Sequence, residues 1–148
     1  MKFSTTRFDV VEVGDDKIID FPRGVIGFKE LKRFVILPHS EPIQWMQAVD
    51  DSDVAFIVTD PFPIFPEYSF KVDDFVEEYL ECKDVKDVMC LVILTVEDHK
   101  LMAHLKTPII INTSSMRAAH LVLDADSIPV KIPVPCSQGE SLSDAKLK

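Results

Sequence analysis

Short apolar runs broken by turn residues recur along most of the chain. Such runs predict β-strands, because successive side chains on a strand point to opposite faces. Clusters of Pro, Asp, Ser and His separate the runs and predict turns. The pattern favours a mainly β fold, a small antiparallel β-barrel-like domain with one or two short helices, over a sandwich. The predicted strands are Phe3 to Val13, Ile18 to Phe21, Phe34 to Leu37, Ile43 to Val49, Val54 to Thr59, Tyr68 to Val72 and Val88 to Val96.

One stretch has helical periodicity. The sequence DDFVEEYLE, Asp73 to Glu81, begins with an Asp cap and an acidic first turn. Its apolar residues Phe75, Val76, Tyr79 and Leu80 share one face, and its acidic residues lie on the other. We therefore predict a helix that lies across one side or end of the sheet and presents an acidic outer surface.

A second stretch is apolar on both faces. In LKTPIIIN the side chains of Ile109 and Ile111 point to one face of a strand and that of Ile110 to the other. A small antiparallel sheet usually has one face in water, so this strand needs either a covering helix or a partner. The pattern alone leaves both alternatives open.

The chain length predicts a single domain, over residues 1–136. The loop FPRGVIGF, Phe21 to Phe28, contains the glycines Gly24 and Gly27, which favour unusual backbone conformations. The prolines between Ile128 and Pro135 predict an extended segment at a sheet edge. The segment 137–148 has no periodicity and is predicted to be a disordered tail.

Charge and composition narrow the class of protein. The net charge of −9 at pH 7 repels phosphates, and there is no Lys/Arg stripe to oppose it, so we expect no direct nucleic-acid binding. The apolar runs are too short to cross a bilayer, and no secretory signal is apparent. We expect a cytoplasmic protein without a membrane association. Its cysteines, Cys82, Cys90 and Cys136, predict neither a disulfide framework nor a zinc site.

The sequence contains no catalytic motif. The histidines His39, His99, His104 and His120 lack metal-ligand spacing, and there is no nucleophile elbow or phosphate-binding loop. We therefore expect no enzyme activity, no metal and no cofactor. A hydrolase would need distant residues to converge on a nucleophile, which one sequence does not show.

The aromatic residues have two interpretations. Trp45 is predicted to lie in the core in preference to a binding surface. The loop from Phe62 to Phe65 either packs under one end of the barrel or presents a contact surface. A small-molecule or carbohydrate-binding β-barrel, with these aromatics and the histidines around its mouth, is the alternative function.

Three segments, in order along the chain, resemble the flagellar assembly factor FliW family. They are FPRGVIGFKELKRFVIL, IQWMQAVDDSDVAFIVTDPF and LKTPIIIN, and the similarity extends from about Phe3 to Leu123. His104, Thr107 and His120 depart from the family pattern, which has asparagine, alanine and glutamine there.

The resemblance implies a β-barrel-like regulator that is not an enzyme. Such proteins bind the translational repressor CsrA, which prevents it from silencing flagellin mRNA, and they also bind flagellin, which releases CsrA. CsrA and flagellin are thus the implied partners, and we would expect the signature strand to be an apolar contact surface if the helix left one face uncovered. The residues assigned to partner binding on this basis are Leu105, Pro108, Ile109, Ile110, Ile111, Asn112, Asp60 and Pro61.

Overall fold

The protein is represented by a computed structural model that describes residues 1–38, 43–72, 74–81, 85–124 and 126–134. Within these residues there is one α-helix, α1 (Asp74–Tyr79), and two short 3-10 turns, Asp15–Lys17 and Val85–Asp87. The strands are β1 (Lys2–Thr5), β2 (Asp9–Glu12), β3 (Ile19–Asp20), β4 (Arg33–Pro38), β5 (Gln44–Ala48), β6 (Ala55–Thr59), β7 (Val88–Glu97), β8 (Lys100–His104), β9 (Ile109–Asn112), β10 (Arg117–His120) and β11 (Lys131–Pro133).

Seven of the strands in the described part of the chain form a closed ring, in the order β7, β6, β5, β4, β3, β10 and β9. The ring closes because β7 pairs with β6 along one edge and with β9 along the other, where Cys90 lies opposite Ile110. All pairs in the ring are antiparallel except β3 and β10, which run parallel with Arg117 opposite Asp20. The prediction of a mainly β, barrel-like domain is confirmed, and ring closure excludes the sandwich.

The barrel interior is filled by apolar side chains from every strand of the ring. Phe21 and Phe34 meet there edge to face, with their ring centroids 5.2 Å apart. A second apolar cluster involves β5 to β8 and the loop that follows β6. Trp45 belongs to this second cluster and is 1% exposed, which confirms the prediction that it is a core residue.

The predicted single strand from Phe3 to Val13 is wrong. The segment folds into a hairpin, β1 and β2, that forms a separate two-stranded sheet. The hydroxyl of Thr5 accepts a hydrogen bond from the backbone N–H of Phe8 (2.7 Å), and Asp9 has a φ of +57°. These local interactions turn the chain where side-chain alternation alone predicted continuation.

Two further strand predictions need correction and one is confirmed. Ile18 to Phe21 pairs not with the N-terminal strand but, through β3, with β4 and β10. Tyr68 to Val72 contains no strand, and the Tyr68 and Phe70 rings, 5.3 Å apart, pack together within the second cluster. The segment after Ile128 provides β11, which pairs only with β8 among the described strands, as an edge strand should.

Helix α1 was predicted over Asp73 to Glu81, and the structure places it at Asp74–Tyr79. Leu80, directly after the helix, is fully buried, whereas Phe75 is 57% exposed. The predicted burial of the whole apolar face is therefore wrong at Phe75. The predicted Asp73 cap, Cys82, Cys136, His39 and the tail 137–148 lie outside the described residues. Among the described residues, no helix has the length and apolar character needed to span a bilayer.

Candidate protein-interaction site

The side chains of the signature strand β9 are buried on both faces. Ile109 and Ile111 pack in the barrel interior, whereas Ile110 packs outside the ring against Leu80 and Ala119. Each of the three isoleucines is at most 2% exposed. The pattern correctly indicated a strand with two apolar faces, but the segment around α1 covers the outer face. The apolar contact surface expected on this strand is therefore absent from the described surface.

Asn112 joins the end of α1 to strand β9. Its side-chain amide donates hydrogen bonds to the backbone carbonyls of Leu80 (2.8 Å) and Glu81 (3.1 Å). Its side-chain oxygen accepts the backbone N–H of Ser114 at 3.0 Å. The buried side chain thus satisfies two carbonyls that the helix end leaves without intrahelical donors.

The remaining residues assigned from the family signature also have structural contacts. Leu105 is fully buried and its carbonyl accepts the Tyr68 hydroxyl at 2.5 Å. Pro108 is buried, and its carbonyl accepts the N–H of Leu121 at 2.9 Å. These contacts hold the approach to β9 in place. Partner binding by this strand stays a prediction.

Asp60 and Pro61 lie at the turn after β6. Asp60 is exposed and its carboxylate accepts the backbone N–H of Phe62 at 3.0 Å, while Pro61 is buried. Burial, with the nearby Asp60 charge, raises the pKa of the Cys90 thiol to about 12, so this cysteine stays protonated at neutral pH. The structure does not bring this turn into the groove described next.

A groove of about 170 Å³ lies on the outer side of β10, between α1 and the loop from Phe21 to Phe28. Two large apolar side chains at this groove are well exposed, Phe75 at 57% and Ile26 at 48%. The groove is lined by Arg23, Gly24, Val25, Ile26, Lys29, Phe75, Val76, Tyr79, Ala119, His120 and Leu121. Exposed apolar side chains gathered in one concave place are typical of protein and ligand contacts.

Gly24 gives the loop beside the groove its shape. Its φ is +71°, in the left-handed region that favours glycine, and a Cβ at this position would clash with the backbone carbonyl of Lys29. The same residue donates its N–H to the carbonyl of Phe21 at 2.7 Å. The FPRG sequence therefore produces a tight turn that leaves Arg23 directed at α1.

Arg23 stacks on the two aromatic rings of α1. The carbon of its guanidinium lies 4.7 Å from the ring centroid of Phe75 and 5.4 Å from that of Tyr79. The backbone N–H of Arg23 also donates to the Tyr79 hydroxyl at 3.2 Å. Phe75 and Tyr79 are stacked on each other, with an interplanar angle of 22°. These contacts hold the loop, the helix and the cation in one arrangement.

His120 joins the loop to the barrel at the floor of the groove. Its Nδ1 accepts the backbone N–H of Ile26 and its Nε2 lies by the carbonyl oxygen of Thr107, both at 3.1 Å. A carbonyl oxygen only accepts, so the arrangement requires a neutral ring with its proton on Nε2. Burial lowers the pKa of His120, and the Thr107 carbonyl only partly opposes this.

A wider cleft of about 950 Å³ lies at one end of the ring, between the Asp15–Lys17 turn and the residues after β9. It does not contain Trp45 or the Phe62 to Phe65 loop, which the small-molecule alternative placed around a barrel mouth. Ile64 and Phe65 instead pack against the second apolar cluster. In the described part of the chain, no group of three or more His, Cys, Asp and Glu side chains is arranged to hold a metal ion.

Sequence reasoning missed the groove. Phe75 and Tyr79 are one helical turn apart, and this spacing predicts a shared apolar face but not the exposure of Phe75. The sequence indicates an unusual backbone conformation at Gly24 but not that its loop faces α1. No signal in the sequence pointed to the contact of Arg23 with the helix, which joins segments distant in the chain.

Comparisons with known proteins agree on one family. The family model described as "FliW protein" matches residues 2–134. The chain is 33% identical over 139 residues to the flagellar assembly factor FliW of Caldanaerobacter subterraneus subsp. tengcongensis, covering 90% of this chain and 93% of the relative. It is 40% identical over 127 residues to that of Bacillus pumilus, covering 83% of this chain and 88% of the relative.

A solved structure has the same fold. The crystal structure of a flagellar assembly factor FliW superposes with a TM-score of 0.84 at 30% sequence identity. The superposition covers 93% of this chain and 100% of that one. The closed β ring and the elements around it therefore correspond to an experimentally determined architecture.

Proposed function

The chain belongs to the FliW family of flagellar assembly factors, and from this premise we propose that it regulates flagellin production through protein binding. In the proposed cycle it binds the translational repressor CsrA in the cytoplasm and so keeps CsrA from flagellin mRNA. Free flagellin competes for the same regulator and releases CsrA. As a result of this cycle, the cell matches the rate of flagellin synthesis to the rate of flagellin export.

The groove beside α1 is the observation that supports a protein-binding role best. Exposed Phe75 and Ile26 flank a concave surface within the part of the chain that matches the family model. Aromatic residues and arginine are enriched at protein interfaces, and the Phe75, Tyr79 and Arg23 stack provides both. The groove is concave and open to solvent on one side, so a side chain of a partner can enter it.

The charge of the chain supports an effect on RNA binding by a partner. The net charge is −9, and Asp74, Glu77 and Glu78 of α1 are all exposed. An RNA-binding protein that carries this surface beside its RNA site gains a neighbour that repels phosphates. RNA affinity would then fall without physical occupation of the RNA site.

Calorimetry with purified CsrA and purified flagellin from the same cell tests the proposal. Each partner is titrated alone and in the presence of the other. We expect both to bind and each to weaken the binding of the other, as linkage requires. If neither protein binds, the proposed function is wrong, and a thermal-shift screen of small ligands against the wider cleft tests the alternative.

The electrostatic route has its own test. The Glu77→Gln, Glu78→Gln double variant removes two negative charges from α1, and Asp15→Asn, Asp16→Asn removes two from the exposed turn near the wider cleft. We expect the helix variant to be the weaker inhibitor of RNA binding by CsrA at low salt. If both variants and the unmodified chain inhibit RNA binding by CsrA equally, repulsion of RNA by the charges of α1 is excluded.

A further inference from the structure

The guanidinium of Arg23 lies at the mouth of the groove and forms no ion pair with a carboxylate of the described residues. Its contacts in the described part of the chain are with the rings of Phe75 and Tyr79, and no described carboxylate pairs with it. By contrast, Arg33 and Arg117 each face a carboxylate within 4 Å. Arg23 is exposed, so its charge faces solvent or an incoming ligand.

The contacts with the two rings fix the position of this guanidinium, whose carbon lies 4.7 Å and 5.4 Å from the ring centroids. Attraction between a cation and a ring does not need conventional hydrogen bonds, so the guanidinium N–H groups can still donate to a ligand. The Tyr79 hydroxyl accepts the backbone N–H of Arg23, and its own proton donates to no group in the described residues. Burial raises the pKa of Tyr79, which keeps this proton in place at neutral pH.

The apolar part of the groove lies directly beside these donors. Ile26 and Phe75 form its exposed sides, and Val76, Ala119 and Leu121 also line it. A cavity of about 150 Å³ is large enough to hold benzene. The volume of about 170 Å³ therefore accommodates one aromatic or branched aliphatic side chain.

The charge of the groove is opposite in sign to that of the whole chain. Among the described residues that line it, Arg23 and Lys29 carry positive charge and none is an aspartate or a glutamate, although the net charge of the chain is −9 and the Asp20 carboxylate acts on Tyr79 from nearby. A basic segment would meet repulsion here and an acidic one attraction. Charge complementarity thus selects a carboxylate as the polar group of the ligand.

We propose that the groove binds a segment of a protein partner in which a carboxylate lies next to a large apolar side chain. The carboxylate accepts from the edge of the Arg23 guanidinium and from the Tyr79 hydroxyl, and the apolar side chain enters the space between Ile26 and Phe75. This inference rests on the proposed function and specifies the chemistry by which its partner is recognised.

The test compares two charge reversals in the full-length chain by calorimetry with purified CsrA and with purified flagellin. Arg23→Glu changes the groove, and Lys17→Glu makes the same charge change at an exposed position at the wider cleft. We expect Arg23→Glu to weaken at least one partner by about thirtyfold or more, since charge-assisted hydrogen bonds are lost and repulsion is added. Lys17→Glu should change the same affinity less than about threefold.

Two smaller variants separate the parts of the groove. Tyr79→Phe keeps the ring and removes the hydroxyl, and about a tenfold loss of affinity is expected. Phe75→Ala removes the exposed ring, with a loss of about tenfold or more. Because Arg23 and Phe75 are exposed, thermal unfolding should show that both of their variants fold.

The outcomes distinguish this inference from the proposed function. If the unmodified chain binds neither protein, the proposed function fails, and this inference fails with it. If the unmodified chain binds a partner but Arg23→Glu and Phe75→Ala bind as well as Lys17→Glu, only the assignment of the groove is overturned. Recovery of Arg23→Glu binding by an Asp→Lys or Glu→Lys change in the partner would identify the carboxylate directly.

Discussion

The two faces of strand β9 belong to very different environments. On the inner face, Ile109 and Ile111 join a cluster to which every strand of the closed ring contributes. On the outer face, Ile110 joins a small cluster whose other buried members are Leu80 and Ala119. The inner face is enclosed by hydrogen-bonded strands, whereas the outer one is covered by one short helix and the residues that follow it.

The difference supports the position of the proposed partner surface. Ile109 and Ile111 are completely buried inside the ring, so the inner face of β9 stabilises the barrel. A short helix and the residues after it cover the outer face. The groove with the exposed Phe75 lies at the edge of this covering segment. The proposed partner surface is therefore the exposed apolar area beside the small cluster on the outer face of β9.

The largest expected effect compares Ile111→Ala with Ile110→Ala. Both residues are almost completely buried. The ring around Ile111 cannot collapse into a cavity, so its truncation should lower the free energy of unfolding by about 4 kcal/mol, and that of Ile110 by about 2 kcal/mol because α1 can move inward. Urea unfolding of both variants gives the comparison. An equal or larger loss for Ile110→Ala would contradict the distinction between the two faces.

The next effect concerns the hydrogen bonds that attach the end of α1 to strand β9. Asn112→Ala removes the side-chain donor to the Glu81 carbonyl and one of the two donors to the Leu80 carbonyl, and it should cost about 2 kcal/mol of unfolding free energy. Amide hydrogen exchange should accelerate in α1 more than in β5. Ser115→Ala is the matched comparison, since Ser115 donates a single hydrogen bond to Leu80 and should cost less. A uniform increase of exchange over the whole chain would contradict a local role.

A pH-dependent effect should follow from His120. Because burial lowers its pKa in the folded state, the unfolded state binds more protons than the folded state below the ordinary value of 6.5. Stability supplied by neutral His120 is complete above that pH and decreases as the pH falls through the lowered pKa. His120→Gln can donate and accept in the same places without titration, so its stability should vary less between pH 7 and pH 5. Parallel pH profiles of the two proteins would contradict this role.

The smallest effect on stability is expected for Phe75→Ala. The ring is 57% exposed, so its loss should change the free energy of unfolding by less than about 0.5 kcal/mol. The same variant is expected to lose partner affinity, so function and stability separate at this residue. A loss of more than about 1.5 kcal/mol in urea unfolding would instead place Phe75 in the core of the outer cluster.

Local patterns were sufficient to predict much of the fold. The apolar faces of β9, the helix near residues 74–79 and the burial of Trp45 all follow from short-range periodicity. The error at Phe3 to Val13 arose because alternation continues through the turn, which the Thr5 hydroxyl and the backbone at Asp9 determine. Side-chain hydrogen bonds of this kind leave little trace in a hydrophobic pattern.

The candidate site was less predictable, for a physical reason. The family signature indicated the strand IIIN as a partner-binding segment, and the structure shows that its isoleucine side chains are buried on both faces. The groove depends on the approach of Arg23 to Phe75 and of His120 to Ile26. These contacts join the first loop to the helix and to β10, and no periodicity within any one of these segments encodes them.

The parallel pairing of β3 with β10 has a consequence for biogenesis. Asp20 and Arg117 come from opposite ends of the ring's sequence, so the barrel cannot close until β10 has left the ribosome. Long-range pairings form slowly because the intervening chain must first be ordered. Until β9 and β10 have been synthesised, the edge of β3 that pairs with β10 and the edge of β7 that pairs with β9 therefore stay unpaired, at the stage when aggregation competes with folding. The closed ring on which the proposed binding surface depends therefore exists only after β10 has been translated.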